Sequence, residues 1–246
     1  MIGPATSRFA SAILPALLLL VACAGEEEVP AEPTWNLVMS GADQTGTVGE
    51  PLAQPITITL ERADGSSAVS FPLRITTVSG SLGIGVPGRG SVGGDGATLN
   101  IMSTDGAVEL RVTLGPTPGP QTFELRAPGM RLSQPVTLVE LTAGPGPVAH
   151  VFRIGDARTG APGEPLDIGL VIRDRFENPI EGIEVHWTPA AGVATPAAST
   201  SDASGRAITA WTLPQDEGVH TLDVEIAGIG MFRFQATAVN TENTDS

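Results

Sequence analysis

The chain has 246 residues, of which 41 % are apolar and 16 % are charged, and its net charge is −14. This composition excludes an intrinsically disordered chain, because it supplies enough apolar surface to build a core. The acidic balance argues against nucleic acid as a partner, since phosphate backbones are bound by clustered basic side chains.

The first 22 residues have the layout of a secretory signal peptide. Arg8 is followed by an apolar run over residues 9–21 and then by small residues. The run is shorter than the roughly 18–20 residues that cross a bilayer. We therefore predict a leader over residues 1–22 and an exported protein.

Cys23 is the only cysteine, and it stands directly after this leader. A lone cysteine cannot form an intrachain disulfide. The letters Leu-Val-Ala-Cys at residues 20–23 resemble the lipobox of bacterial lipoproteins, which implies a diacylglycerol on the Cys23 sulfur and a chain tethered to the membrane. The alternative is an ordinary cleavage site that is followed by a cysteine. Ala24, where enteric inner-membrane lipoproteins carry Asp, implies sorting to the outer membrane.

The segment behind the leader is acidic and contains prolines. Residues 23–34 include the run Glu26, Glu27 and Glu28 together with Pro30 and Pro33. Like charges and prolines keep a chain extended. We predict a tether that separates the lipid from the folded part of the protein.

The rest of the chain contains an internal repeat. The letters TGTVGEPL at residues 45–52 return as TGAPGEPL at residues 159–166. Self-similar text is the signature of repeated structural units. We predict two β-sandwich modules, at residues 35–142 and 148–239, with a Gly/Pro linker at residues 143–147 and a polar tail at residues 240–246.

The strands of the first module are predicted from apolar and polar residues that alternate with period two. Such segments occur at residues 56–61, 69–78, 108–114, 122–125 and 135–141. A Gly/Pro turn at residues 115–120 separates the third segment from the fourth. We therefore predict that these two strands pair as a hairpin.

Residues 80–96 are rich in glycine and contain two overlapping matches to the dinucleotide-binding fingerprint, at residues 83–88 and 88–93. The fingerprint needs a strand before it and a helix after it, and no helical periodicity follows here. We predict a loop at one end of the sandwich, where binding residues tend to lie, and no nucleotide site.

The second module shows the same alternation. In the segment 183–187, the side chains of Ile183, Val185 and Trp187 are predicted to face the core, and those of Glu184 and His186 to face water. Further strands are predicted within residues 207–213, 218–226 and 232–236. No long segment behind the leader shows convincing 3.6-residue periodicity, so the predicted fold class is all-β.

Several of these segments resemble the bacterial immunoglobulin-like group 1 domains that occur in tandem in intimin- and invasin-type adhesins. They are the repeated TGxxGEPL opening, the letters DRFENPI at residues 174–180 where the family tends to have Asp-x-x-Gly-Asn-Pro-Val, VHW at residues 185–187, and TSDASGRA at residues 200–207. The first module departs from the pattern at residues 63–67, which lack the Asn-Pro pair. The resemblance implies tandem immunoglobulin-like sandwiches that act as spacers and binding platforms, with no catalytic residue.

Few residues are available for chemistry. His150, His186 and His220 are scattered, and the sequence contains neither a Gly-x-Ser-x-Gly elbow nor a His-Glu-x-x-His pair. We predict that these histidines are solvated surface residues, that the protein is not an enzyme, and that it has no cofactor.

Asp174, Glu177 and Asn178 offer the oxygen ligands that Ca²⁺ prefers, although the EF-hand spacing is absent. The alternative is a turn that uses Asp and Asn for backbone hydrogen bonds.

The three tryptophans differ in their predicted positions. Trp187 and Trp211 fall on inward strand positions and are predicted to lie in the core. Trp35, at the end of the tether, is predicted to be free, so that it could stack on a sugar.

The function predicted from the sequence is that of a lipid-anchored cell-envelope protein without catalysis. Its immunoglobulin-like modules would serve as a spacer or as a surface that binds an envelope polymer or a surface protein through loops or strand edges. The alternative is an accessory subunit or an enzyme that acts on envelope polysaccharide.

Overall fold

The computed structural model of the chain describes residues 34–240. The predicted leader, Cys23, the tether up to Pro33 and the tail from Thr241 onward lie outside the described residues. Within residues 34–240 the chain forms strands and turns and no helix. In that range, accordingly, no helix has the length and apolar character needed to cross a membrane.

Residues 35–144 form two five-stranded sheets that face each other. The strands are β1 (Trp35–Ser40), β2 (Thr45–Thr47), β3 (Ile56–Arg62), β4 (Phe71–Ser79), β5 (Gly83–Val86), β6 (Gly90–Gly93), β7 (Thr98–Ser103), β8 (Ala107–Thr113), β9 (Gly119–Arg126) and β10 (Thr137–Gly144). One sheet has the order β1-β3-β8-β5-β6 and the other has the order β2-β10-β9-β4-β7. We call this part of the chain module 1.

Module 2 repeats the arrangement with shorter strands in the middle. Its strands are β11 (His150–Ile154), β12 (Arg158–Gly160), β13 (Pro165–Arg173), β14 (Glu184–Pro189), β15 (Val193–Thr195), β16 (Ala198–Thr200), β17 (Arg206–Thr212), β18 (Gly218–Ile226) and β19 (Gly230–Ala238). The sheet orders are β11-β13-β17-β15 and β12-β19-β18-β14-β16.

The core of each module lies between its two sheets, as the period-two patterns predict. In β3, Ile56, Ile58 and Leu60 are fully buried and alternate with threonines. In β14, Val185 and Trp187 are buried, whereas Glu184 and His186 are exposed. Each module has its own cluster of buried apolar side chains. Because each strand hides one face, two sheets are sufficient to close each core.

The order of the strands is that of an immunoglobulin-like sandwich. In that fold, strands A, B, E and D form one sheet and strands C, F and G form the other. β11, β13, β17 and β15 occupy the positions A, B, E and D, and β14, β18 and β19 occupy C, F and G. β2 and β12 leave the first sheet of their modules and pair in parallel with β10 and β19. The protein therefore contains two tandem immunoglobulin-like β-sandwiches.

The predicted hairpin of β8 and β9 is wrong. β8 pairs with β3 and β5, and β9 pairs with β10 and β4, so the chain crosses between the sheets at residues 114–118. The buried side chain of Gln121 holds this crossing, accepting from Gly115 N at 2.8 Å and donating to Thr117 O at 2.8 Å. Gly115 passes against the carbonyl oxygen of Gly80 and has no room for a Cβ atom. The alternation located both strands but not their neighbours.

The predicted loop at residues 80–96 is also wrong, because β5 and β6 form a hairpin there. Gly83 pairs with Gly93 and Val86 pairs with Gly90. Leu82, Ile84 and Val86 are buried, so β5 follows a period-two pattern that the surrounding glycines obscure. Both fingerprint matches lie in this hairpin, and no helix follows it within the described residues.

Two of the three tryptophans lie where the sequence predicts. Trp187 and Trp211 are buried in module 2. Trp35, predicted to be free, is half-buried in β1 and packs against the core of module 1. The guanidinium of Arg62 lies 4.1 Å from the centre of its ring. This stacking and the pairing of β1 with β3 hold Trp35 in place.

Candidate functional site

The turn after β13 lies at the junction of the two modules. It contains the calcium candidates Asp174, Glu177 and Asn178, and Arg175 and Phe176 stand between them. The turn is closed by backbone hydrogen bonds from Asp174 N to Asn178 O at 3.0 Å and from Glu177 N to Asp174 O at 3.1 Å. Glu177 adopts φ +65°, the left-handed conformation that glycine adopts most easily. That is the position at which the resembling motif has glycine.

Both carboxylate oxygens of Asp174 accept hydrogen bonds from N–H groups. Oδ1 accepts from Phe176 N at 2.8 Å and from Asn178 N at 3.0 Å. Oδ2 accepts from Gly146 N at 2.9 Å and from Asn178 Nδ2 at 2.9 Å. This pattern is that of an aspartate that fixes a turn and ties it to the segment between the modules. In the part of the chain that the structure describes, no cluster of three or more His, Cys, Asp or Glu could hold a metal ion.

The electrostatics of Asp174 follow from these contacts. The side chain is fully buried. Burial by itself would raise the pKa of Asp174, but the hydrogen bonds from Asn178, Gly146 and Phe176 outweigh it, and the pKa lies below its ordinary value. The carboxylate is therefore charged and fully engaged at neutral pH.

Arg175 and Phe176 reach across to module 1. Arg175 Nη2 donates to Glu50 Oε1 at 2.9 Å and to Gly49 O at 3.2 Å. The Arg175 guanidinium also lies 4.7 Å from the centre of the Phe176 ring. The two side chains thus form a stacked pair whose polar end binds the turn that precedes Pro51.

Gly49 makes this contact sterically possible. It has φ +71°, and a Cβ atom there would lie 2.6 Å from Arg175 Nη2 and 2.6 Å from Phe176 Cε2. A side chain of any size would displace the stacked pair. The glycine of the repeated opening is therefore used at this junction for close approach as well as for its backbone conformation.

Asn178 forms the third contact across the junction. Its Nδ2 atom donates to Pro116 O at 2.7 Å, and the same amide contacts the Asp174 carboxylate. Pro116 lies in the crossing between β8 and β9. We call the surface formed by Gly49, Glu50 and Pro116 the socket, and residues 175–178 the plug.

The sequence indicates part of this site. The turn at residues 174–178 stands out for its oxygen atoms, and Gly49 and Glu50 stand out as part of the repeat. Arg175, Phe176 and Pro116 were missed as binding residues. The adjacent Arg175 and Phe176 in a turn are the signal that could have indicated a contact outside the module.

The histidines have separate, local contacts. His150 Nε2 lies 3.4 Å from Glu177 Oε1, and its ring stacks on Phe152. His186 Nε2 lies 3.5 Å from Glu184 Oε1 on the same strand. His220, predicted to be exposed, is half-buried, and its Nε2 lies 2.8 Å from Asp216 O. His220 occupies the place that Gln121 has in module 1, and it contacts the equivalent carbonyl group.

The fold and the junction together define a protein made of two joined immunoglobulin-like modules. A solved Escherichia coli adhesin, FdeC, is similar at TM-score 0.48 and 13 % identity, and the match covers 83 % of this chain and 63 % of that one. Yersinia pseudotuberculosis InvD is similar at TM-score 0.48 and 15 % identity, over 86 % of this chain and 60 % of that one. The D00-D0 domain of intimin is similar at TM-score 0.43 and 14 % identity, and the match covers 83 % of this chain and 100 % of that one.

This chain thus spans less than two thirds of the FdeC and InvD chains. No protein-family model and no curated protein matches it.

Proposed function

We propose that this protein is a lipid-anchored component of the cell envelope, held at the outer membrane through Cys23. Its two modules act as a spacer and present a binding surface to a surface protein, without catalysis. Cys23 supports the anchor through the lipobox-like residues before it, and residues 23–34 provide the tether.

The observation that carries the spacer role is the junction. A spacer needs a junction that limits the motion of one module relative to the next. The plug contacts module 1 through a stacked Arg175–Phe176 pair, an ion pair with Glu50 and a hydrogen bond to Pro116 O. Interfaces between modules of one chain allow motion unless specific contacts oppose it. Here the contacts are specific and lie at three points.

A difference between the modules supports the binding role. On the outer face of β11, β13 and β17, Phe152 is 49 % exposed and Ile208 is 40 % exposed. Phe152 pairs with Val171, a diagonal neighbour of Ile208. In module 1, Val38, which is 40 % exposed, stands in the place of Phe152, but Thr59 and Glu109 stand in the places of Val171 and Ile208. The shared fold therefore does not require this apolar face, and exposed apolar patches mark interaction sites.

Two grooves on module 1 are small. The groove lined by Pro51, Leu52, Glu109 and Arg111 has a volume of about 260 Å³. A second, beside Arg74 and Arg126, has a volume of about 280 Å³. Both are open and lie below the roughly 300–1,000 Å³ of typical small-molecule sites.

The anchor is tested by substituting Cys23→Ser in the full-length chain. The unsubstituted protein should incorporate a palmitate analogue and enter the detergent phase, and the variant should do neither. A Thr57→Ser variant is the control and should behave as the unsubstituted protein does. Absence of label from the unsubstituted protein would refute the anchor.

The facing of the modules is tested by treating intact cells with a protease that cannot cross the outer membrane. Cleavage in intact cells supports adhesion, whereas protection until the membrane is opened counts against it. Hydrolysis of an envelope polysaccharide by the purified chain would favour the alternative, an enzyme of that class.

The binding surface is tested by the double substitution Phe152→Ser and Ile208→Thr. Binding of the purified, tether-free chain to whole cells should fall at least about tenfold, as expected when a buried aromatic contact is lost. The matched control is Val219→Ser, which removes an apolar side chain, 65 % exposed, from the other sheet. Equal binding by the double variant would remove this face from the proposal.

A further inference from the structure

The internal repeat places a second copy of the socket at the opposite end of module 2. Gly163 and Glu164 correspond to Gly49 and Glu50 in the repeated opening, and they stand directly before β13, whereas the plug directly follows that strand. The two copies have the same backbone. Gly49 and Gly163 have φ +71° and +78°. Gly49 N donates to Leu114 O at 3.0 Å, and Gly163 N donates to Leu213 O at 3.2 Å.

The two sockets differ in what occupies them. A Cβ atom on Gly49 would meet Arg175 and Phe176 of the plug, whereas a Cβ atom on Gly163 would lie 2.6 Å from Gln215 Nε2. Gln215 is the counterpart of Pro116, which has no side-chain donor. In the second socket, therefore, an amide from the same module stands where the Arg175 guanidinium stands in the first.

The acidic residue of the second socket is bound within its own turn. Glu164 Oε2 accepts a hydrogen bond from Ala161 N at 2.7 Å. Its counterpart, Glu50, binds Arg175 instead. The second socket retains the glycine and the carboxylate of the first, and its own side chains close it.

A turn with the geometry of the plug also exists on module 1, at residues 62–66. Arg62 N donates to Ser66 O at 2.9 Å and Gly65 N donates to Arg62 O at 3.0 Å, the same two bonds that close the plug turn. Gly65 has φ +82°, as Glu177 has φ +65°. Ala63, Asp64 and Ser66, however, stand in the places of Arg175, Phe176 and Asn178. This turn therefore has the backbone conformation of the plug but lacks the side chains with which the plug binds.

We propose that the end of module 2 formed by Gly163, Glu164 and Gln215 is a second docking socket, held closed by Gln215. The occupant that fits it is an immunoglobulin-like module that presents an Arg-aromatic-x-Asn turn. Such a module replaces the Gln215 amide with a guanidinium that binds the Glu164 carboxylate. The turn at residues 62–66 does not fit, so two copies of the chain do not join head to tail. This inference does not depend on the lipid anchor.

The experiment gives one chain both a plug on module 1 and an open second socket on module 2, so that copies of the chain can bind each other. The substitutions Ala63→Arg, Asp64→Phe and Ser66→Asn place a plug on the exposed turn of module 1 and retain Gly65. Gln215→Gly then opens the second socket. Both forms are made in the tether-free chain, residues 34–240, and their masses are measured by sedimentation equilibrium over a range of concentrations.

The four-substitution chain should form an open series of head-to-tail oligomers, because this contact joins different surfaces and does not close. The three-substitution chain, with Gln215 in place, should associate about tenfold more weakly, because the Gln215 side chain has to be displaced from the place that the guanidinium takes. The unsubstituted chain should remain monomeric. If the four-substitution chain is monomeric, this end of module 2 is not a docking socket. If association is equally strong with and without Gln215, then Gln215 does not hold the socket closed.

Two further variants control for other interfaces and for misfolding. Adding Glu164→Gln to the four-substitution chain should abolish association, whereas Glu225→Gln, an equal change of charge on an exposed strand position, should not. Asp64 accepts a hydrogen bond from Ser66 N at 2.9 Å, so its loss could unfold the turn. In that case a chain with Ala63→Arg, Ser66→Asn and Gln215→Gly is used, because it retains Asp64. Its association is expected to be the same as that of the four-substitution chain, and a monomeric form would refute the socket.

Discussion

At the scale of single residues, the junction depends on the Asp174 carboxylate. It joins the plug turn to Gly146 in the segment between the modules, and all its partners are N–H donors. Loss of the carboxylate leaves buried donors without an acceptor, which costs more than an ordinary exposed hydrogen bond.

We predict that Asp174→Ala lowers the free energy of unfolding by about 3 kcal/mol, since two or more buried N–H groups lose their acceptor. Asp64→Ala is the matched control, because Asp64 caps an equivalent but exposed turn, and it should cost clearly less than Asp174→Ala. Urea denaturation followed by tryptophan fluorescence measures both. Equal costs would show that burial does not matter at Asp174.

The lowered pKa of Asp174 predicts a pH dependence. Its contribution is fully present above the unfolded value of about 3.9 and is lost as the pH falls through the lower folded pKa. Between pH 7 and pH 3, the free energy of unfolding should therefore fall more steeply for the unsubstituted chain than for Asp174→Asn. Parallel curves from denaturation at each pH would contradict the assignment.

Substitution of two glycines distinguishes the cost of backbone strain from the cost of a steric clash. Gly49 and Gly65 both have positive φ, but a Cβ atom at Gly49 meets the plug, whereas one at Gly65 meets nothing within 4 Å. Gly65→Ala should cost about 1 kcal/mol, the strain of a left-handed residue. Gly49→Ala should cost clearly more and should release the plug. Equal costs in thermal denaturation would mean that the plug does not pack on Gly49.

At the scale of elements, the alternation of apolar and polar residues locates nine of the nineteen strands in the described residues, most of them long ones, together with their buried faces. The alternation does not predict which strands pair in a sheet, because it shows only which face of a strand is buried. β8 and β9 are adjacent in the chain but belong to different sheets, since the buried amide of Gln121 holds the crossing. β5 was missed because glycine carries no side chain that could display the pattern.

The crossing between the sheets is held by different residues in the two modules. Gln121 contacts Thr117 O, and His220 contacts Asp216 O at the equivalent place. We predict that His220→Gln preserves stability, whereas His220→Ala lowers the free energy of unfolding by about 1 kcal/mol, the net value of one hydrogen bond. His186→Ala, on an exposed strand position, is the control and should be neutral. A neutral His220→Ala in denaturation experiments would refute this role.

At the scale of the whole molecule, the contacts between the modules join residues far apart in the chain. Arg175 and Glu50 are 125 positions apart, and nothing in the local pattern of either segment identifies the other. The oxygen-rich turn was recognisable from the sequence, but its partner was not. The ion pair itself is exposed and contributes about 0–1 kcal/mol. We therefore expect the packing of Phe176 on Gly49 to stabilise the junction more than the ion pair does.

We predict that Phe176→Ala loosens the junction without unfolding either module. Spin labels on cysteines at positions 109 and 225 of the tether-free chain should give a narrow distribution of distances, which Phe176→Ala broadens. Val219→Ala is the control, since Val219 is an exposed apolar residue of module 2 that pairs with Thr237 on β19 and not with the plug. A distribution unchanged by Phe176→Ala would place the rigidity of the junction elsewhere.

The parallel pairing of β2 with β10, and of β12 with β19, determines how each module responds to tension. In both modules a strand near the beginning runs in the same direction as the last strand beside it. Pulling on the two ends of the chain therefore shears these strands along their length and loads their hydrogen bonds simultaneously rather than one by one. Such an arrangement resists stretching along the chain, because several hydrogen bonds have to break together before either strand moves.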